Sequence, residues 1–508
     1  MVFLGRSLGL DCLVIYSYAN DCCLSIIREK GTWYMKKMST FDSDCSYGKE
    51  VECSEIIIDV QDVRPARGHP RCSISKVPNK LREVKEEAYT PKLISIGPVH
   101  HNKKELEDME RMKLRYFKEF FCHRTRIGQK EFANIIEKRE KNFRHCYAEE
   151  IYLPEKEDFV KMILLDSIFI IELFLRTAAR QEYEKDDCIL SRPWLDEGIK
   201  LDLILLENQL PFFILEELHH HIERSPGIHK SFIELACNYF FHIGNCKIIP
   251  NEKEVKHFTD LQRYFYYSPN LESSDKIIAH LYSATKLDTA GLNFKKWKEE
   301  PSELEDSRLL DIQIENPYPL KIFPCFSCSW LLHCLPCLKC CWCLKRMQAS
   351  LVIPPFEINH ATEHIFRNIM ALEQCHYPKQ AYICNYIVLL DFLINTRDDA
   401  ELLVDKKIIV HSFGNNQEVV EMVKKLTKEI VENNSCYSGL AKGLNDHHEN
   451  WWNKIIVTWW YKIIVPLKTV YFRDIWRGTA TIAGIIVLLI TIGEFLTPFI
   501  LNKKFPSL

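Results

Sequence analysis

Residues 156–176 read KEDFVKMILLDSIFIIELFLR. The stretch is bounded by Pro154 and a polar segment in the 180s, and it is strongly apolar, with Asp166 and Glu172 as isolated charges inside the run. A helix that is apolar on nearly every face is a buried one. The stretch therefore predicts a helix central to the core, and its neighbours are read as what packs around it.

Those neighbours also carry helical periodicity. NKKELEDMERMKLRYFKEFF (102–121) opens with Asn102 and Glu105 in capping-box spacing and repeats apolar residues along one face. A helical pattern over 198–218 runs into LENQLPFF, where Pro211 removes a donor and is expected to end or kink the helix after Gln209. Further helical patterns cover about 227–242, 274–284, 361–375, 380–396, 416–433 and 446–475. The expected fold class is mainly α, one large helical body with two lobes. LLDIQI (309–314) and LVIPPFEI (351–358) alternate as strands do, with Pro354 and Pro355 confining the second to a sheet edge. Together they predict a small β-hairpin that carries a Cys-rich insertion at 322–350.

Composition narrows the function. The 66 basic and 69 acidic residues among 508 are mixed along the chain and leave a formal charge of −3, so there is no basic footprint for nucleic acid. With 17 glycines the chain contains neither G-x-x-x-x-G-K-[ST] nor G-x-G-x-x-G, which removes the common phosphate-cradling loops. No signal-peptide order of basic, apolar and small residues opens the chain, so its 21 cysteines are expected to be reduced.

The two ends read differently. Residues 1–73 are expected to form an irregular N-terminal tail, and Met35 and Met38 leave open whether 1–37 belong to the natural protein. At the other end, GTATIAGIIVLLITIGEFLTPFIL (478–501) holds one charge in 24 residues, long enough to cross a hydrocarbon core of about 30 Å. Lys468, Arg473 and Arg477 precede it, Lys503 and Lys504 follow it, and Trp451, Trp452, Trp459, Trp460 and Trp476 crowd its approach. These features predict a C-terminal single transmembrane helix at 478–501, hence a single-pass membrane protein with a cytosolic body, with the plasma membrane as its expected location. Residues 74–475 would be the helical domain.

Within that domain several phrases are specific in combination: ISKVPNKLREVKEEAYTPKLISIGPVHH (74–101), CYAEEIYL (146–153), DLILLENQLPFFILEEL (202–218), ATKLDTAGLNFKK (284–296), LLDI (309–312) and IPPFEINHATEHIFRNIMALEQC (353–375). In this order they resemble the plant domain-of-unknown-function 247 family, also called UPF0481, over about residues 74 to 500. Asn102 stands where that family usually has glycine after the His pair. The resemblance implies a single-pass membrane protein with no established catalytic activity. Members in grasses are linked to self-incompatibility, which implies recognition rather than a reaction.

Candidate sites follow from the residues. His360-Ala361-Thr362-Glu363-His364 matches H-x-x-E-H, which on a helix would place two imidazoles on one face. The family resemblance instead fixes Thr362, Glu363, Phe366, Arg367 and Asn368, with Glu363 and Arg367 as an i, i+4 ion pair. Gly97 and Pro98 form a turn followed by His100 and His101, a candidate recognition loop or a set of side chains bonded to the backbone. Glu207, Asn208 and Gln209, polar inside an apolar run, must find buried partners. His219, His220 and His221 end a helix, where the dipole favours them. The insertion holds Cys325, Cys328, Cys334, Cys337, Cys340, Cys341 and Cys343. Its apolar, aromatic and basic neighbours make Cys334, Cys337, Cys340, Cys341 and Cys343 candidates for S-acylation at a membrane face, with zinc binding or an inert loop as the other readings.

Two functional readings result. The first is a membrane-tethered recognition or signalling scaffold that binds a protein partner, with no catalytic residue, metal or cofactor assigned. The second is a membrane-bound metal-dependent hydrolase using His100 and His101 or His360 and His364.

Overall fold

The computed structural model describes residues 72–148, 154–180, 186–222, 230–241, 255–267, 274–297, 309–315 and 348–450, with shorter pieces at 152, 271–272, 462, 479–480, 482–488 and 490–492. It also describes the strand positions 2–7, 10–17, 22–29, 32–38 and 57–58. The chain divides into two compact units, Met1–Pro70 and Arg71–Leu508.

In the first unit, β1 (Val2–Ser7), β2 (Leu10–Ser17), β3 (Cys22–Glu29), β4 (Thr32–Met38) and β5 (Ile57–Ile58) form one antiparallel sheet in sequence order. The sequence suggests an irregular tail here, because Met35 and Met38 are followed by a polar segment. The runs LVIY and SII nonetheless supply the β-branched and aromatic residues that strands favour.

In the second unit the helices are α1 (Asn79–Val84), α2 (Glu107–His123), α3 (Gln129–Arg144), α4 (Lys156–Ala178), α5 (Pro193–Leu203), α6 (Phe212–His220), α7 (Phe232–Phe241), α8 (Phe258–Tyr266), α9 (Ala284–Thr289), α10 (Thr362–His376), α11 (Tyr382–Leu393), α12 (Arg397–Asp405), α13 (Asn416–Thr427) and α14 (Ser438–Glu449). Helix α4 is the expected centre. It packs against α2, α3, α6 and α7, and both of its isolated carboxylates find cations. Lys113 of α2 meets Asp166 at 2.6 Å, while Arg124 and Arg176 hold Glu172 at 3.2 and 2.7 Å. Burial raises both carboxyl pKa values, and the facing cations oppose that shift.

Two hydrophobic cores divide this unit, one built on α2 to α8 and the other on α9 to α14 with the strands between. A third, smaller cluster, including Leu81, Tyr89, Leu206 and Leu372, draws residues from 77–89, the 204–211 segment and α10, and so joins the lobes. The expected hairpin is present: β7 (Gln313–Glu315) pairs antiparallel with β8 (Ser350–Ile353). However, β8 is central, because β6 (Asn293–Lys296) pairs parallel on its other side. Pro354 and Pro355 fall after β8, where the chain leaves for β9 (Phe356–Ile358), which pairs parallel with β10 (Ile409–His411). The prolines thus divide one apolar run between two sheets.

Three expectations shift. The helix expected from Asn102 begins at Glu107, after a 3-10 turn over Lys104–Leu106, and Asn102 itself takes a left-handed φ of 62°. Residues 274–283, expected to be helical, are irregular and lead into α9. The C-terminal transmembrane helix expected over 478–501 is corrected: among the described residues no helix is long and apolar enough to cross a membrane. The single-pass membrane placement and the plasma-membrane location rested on that span and are corrected with it.

Candidate functional site

The segment 204–211 between α5 and α6 is where the specific phrases of the sequence converge. Helix α5 ends at Leu203 and Pro211 caps α6, so the joint is a whole segment and not a single kink. Polar groups buried in such a segment, and in the chain packed on it, require partners.

Four side chains meet this demand. Asp202 accepts from the N–H groups of Lys92, Leu93 and Ile94 at 3.0, 2.6 and 2.9 Å. Asn208 accepts from Ile96 at 2.7 Å and donates to the carbonyls of Ile94 and Asp202. Gln209 donates to the carbonyls of Leu203 and Leu205 and accepts from Phe258 at 2.9 Å, which fixes the start of α8. Glu207 accepts from the N–H of Val77 at 2.7 Å and pairs with Arg82 at 2.6 Å. Residues 92–96, KLISI, join no sheet; the side chains of Asp202 and Asn208 accept from their N–H groups where a neighbouring strand would.

The Gly97-Pro98 turn lies against this joint. Gly97 has φ +72°, and a Cβ there would lie 2.6 Å from the Gln209 carbonyl oxygen. Its N–H donates to Asp166 at 2.8 Å, so the turn is tied to the central helix as well. Gly97, Pro98 and His100 are buried and His101 is half-buried. His100 faces Glu207, with Nε2 3.4 Å from the carboxylate. Burial lowers the His100 pKa, partly offset by Glu207. The Glu207 carboxyl, although raised by burial, is held below its usual range by His100 and Arg82.

Helix α10 closes the arrangement. Asn368 accepts from the N–H of Leu206 at 3.1 Å and donates to the carbonyls of Ala88 and His364, bridging the lobes. Glu363 pairs with Arg367 at 3.0 Å, as the i, i+4 spacing predicts, and with Lys85 at 2.6 Å. His360 lies before the first turn of α10, so it does not share a helical face with His364, and Glu363 is already held by two cations. Among the described residues no group of three or more His, Cys, Asp or Glu side chains is placed to hold a metal ion. His219 and His220 occupy the last turn of α6, and the C-cap His221 bonds the Glu217 carbonyl at 2.7 Å. The seven clustered cysteines, including the S-acylation candidates Cys334, Cys337, Cys340, Cys341 and Cys343, lie outside the described residues. Among the described residues Cys122, Cys188, Cys384 and Cys436 are free thiols.

Sequence reasoning placed the polar trio 207–209 in a buried network but missed Asp202, Arg82 and Asn368 as its other members. The signal for Asp202 was present, since it too is a charge inside an apolar helix end. Arg82 and Asn368 are brought in by tertiary packing alone.

A two-lobed helical body clasped around one polar joint defines the class. Residues 74–490 match the family model described as a plant protein of unknown function, DUF247, and the chain belongs to that family. Two UPF0481 proteins of Arabidopsis thaliana are similar to it. One is 25% identical over 464 residues, covering 84% of this chain and 85% of its own. The other, named as putative, is 23% identical over 487 residues, covering 82% of this chain and 88% of its own. No solved structure matches.

Proposed function

We propose that this protein is a recognition or signalling scaffold that binds another protein. The observation that carries the reading is the use made of the polar residues in the specific phrases. Asp202, Glu207, Asn208, Gln209 and Asn368 are buried and bonded to backbone N–H and carbonyl groups. Groups so engaged fix a shape and are not poised to attack, protonate or polarise a substrate. A rigid joint between two lobes suits a surface that must keep its form while a partner docks. The link between grass members of the resembled family and self-incompatibility leans the same way.

The test is capture of plant proteins by the purified chain and by Leu114→Asp, Tyr152→Asp and Val431→Asp variants, each altering an exposed apolar side chain. The scaffold reading expects at least one variant to keep the wild-type melting midpoint and lose a stoichiometric partner. If all three retain every captured protein, and the wild type turns over a substrate in a manner abolished by His100→Ala, a catalytic reading replaces this one.

A further inference from the structure

Residues 73–77, SISKV, form a strap that touches both lobes before α1 begins. The N–H groups of Ser73 and Ile74 donate to the Cys146 carbonyl at 2.9 Å, and the Ile74 carbonyl accepts from the N–H of Ala148 at 2.9 Å, which ties the strap to the chain leaving α3. Val77 donates its N–H to Glu207 at 2.7 Å, and its side chain enters the small cluster that joins the lobes. Ser73, Ile74, Ser75 and Val77 are buried, whereas Lys76 is exposed.

Two histidines close over this strap, one from each lobe. His257, the N-cap of α8, is fully buried, with Nε2 3.0 Å from the Ser73 carbonyl and Nδ1 accepting from the N–H of Asp260 at 3.3 Å. His376, in the last turn of α10, is half-buried, with Nε2 3.0 Å from the Ser75 hydroxyl. The rings are near enough that charge on His376 opposes charge on His257. Lys256 opposes a proton on either ring, and Asp260 favours one. Asp260 is already engaged, accepting from the Lys256 N–H and the Tyr377 hydroxyl at 3.0 Å each. Arg263 of α8 and Glu373 of α10 offset one another at 3.0 Å.

The closed strap therefore resists protons. A proton on Nδ1 of His257 breaks the α8 cap, and a second on His376 adds a cation beside the first and beside Lys256. Burial lowers both imidazole pKa values from 6.5 to about 4. Lifting the strap brings both rings into water, where they regain their ordinary proton affinity. The lifted form binds more protons than the closed one, so lifting is favoured as pH falls below 6.5. Local openings of this kind require less free energy than global unfolding.

We propose that His257 and His376 form a proton-sensitive clasp: taking up protons releases the 73–77 strap and withdraws Val77 from the contact between the lobes, while each lobe stays folded. Paired histidines at a packed junction are a known means of making such a contact respond to acid. The clasp does not depend on the protein partner proposed above.

Amide hydrogen exchange of the full-length protein from pH 7 to pH 5, corrected for the intrinsic pH dependence of exchange, tests it. This range lies above the ordinary carboxyl values, so the histidines dominate the titration. The open population, read at the amides of Ser73, Ile74, Val77 and Ala148, is expected to rise as pH falls, approaching about a hundredfold per pH unit for two protons taken up. His257→Gln and His376→Gln should each reduce that slope to about tenfold per unit, and the double variant should remove it. Glutamine at either position can keep the hydrogen bonds without titrating. Amides of α4 and α11 should keep their protection throughout. Strap protection that is independent of pH, loss of protection in α4 and α11 in step with the strap, or an unchanged slope in the double variant would overturn the clasp. The first two results are read on the wild type and need no variant to fold.

Discussion

The backbone of Gly97 and the carbonyl of Gln209 are in such close approach that a β-carbon on residue 97 would lie 2.6 Å from the oxygen, and the Tyr147 hydroxyl donates to that same oxygen at 2.8 Å. A left-handed φ of 72° adds a conformational penalty for any side chain. Gly97→Ala is therefore expected to cost about 3 kcal/mol or more, combining backbone strain with the displacement of a buried bonded carbonyl. Denaturant midpoints for the two proteins measure this directly. A variant as stable as the wild type would mean that the turn and the joint are not packed as described.

Asn368 occupies an equivalent position for the lobes. Replacing it with Leu leaves the Leu206 N–H and the Ala88 carbonyl without partners, at an expected cost of about 2–4 kcal/mol. Because those groups lie on the 77–89 segment, the joint and α10, the loss falls on the coupling between the cores. The variant should unfold in two calorimetric transitions or in one that is visibly broadened. A single sharp transition at the wild-type midpoint would show that the lobes are coupled elsewhere.

Two acidic residues of the same phrases should separate by burial. Asp202 is buried and accepts three backbone N–H groups; in Asp202→Asn the introduced amide would place donors against donors, costing about 3 kcal/mol. Glu363 is half-buried between Lys85 and Arg367, and Glu363→Gln is expected to cost less than about 1 kcal/mol, as partly exposed pairs do. Equal losses in urea titrations would contradict the distinction.

Helices with a strong pattern were legible in the sequence. The stretch 156–176 became Lys156–Ala178, 361–375 became Thr362–His376, and 380–396 contains Tyr382–Leu393, because burial on most faces leaves little choice of structure. The hairpin was legible from its alternation, but the third strand was not. NFKK is four residues long, and only its pairing with β8 makes it a strand. The apolar run after Gly478 has the composition of a span, yet among the described residues no helix attains the length one needs. The polar trio 207–209 announced a buried network, whereas Val77 and Ile96, which donate to Glu207 and Asn208, lie more than a hundred residues away, a distance that local pattern does not reach.

His257 gives a prediction about acid. Its Nε2 lies 3.0 Å from the Ser73 carbonyl and its Nδ1 accepts from the N–H of Asp260, capping α8, so the ring must be neutral with the proton on Nε2. Protonating Nδ1 breaks the cap. Burial, reinforced by His376 and Lys256 and opposed by Asp260 and the Ser73 carbonyl, lowers the pKa from 6.5 to about 4. The folded value lies below the unfolded one, so the contribution is fully present above pH 6.5 and is lost as pH falls from there toward 4. Across that window His257 contributes a loss on the order of a few kcal/mol. His364 and His376, which burial also lowers to about 4, act in the same direction. The Glu207, Asp187 and Asp399 carboxyls are depressed and act below their ordinary values of 4.5 and 3.8. His257→Gln isolates the effect, because glutamine can accept from Asp260 and donate to Ser73 but does not titrate. Urea midpoints measured from pH 7.5 to 4.5 should fall less steeply for the variant than for the wild type. Parallel curves would show that His257 does not change its protonation on unfolding.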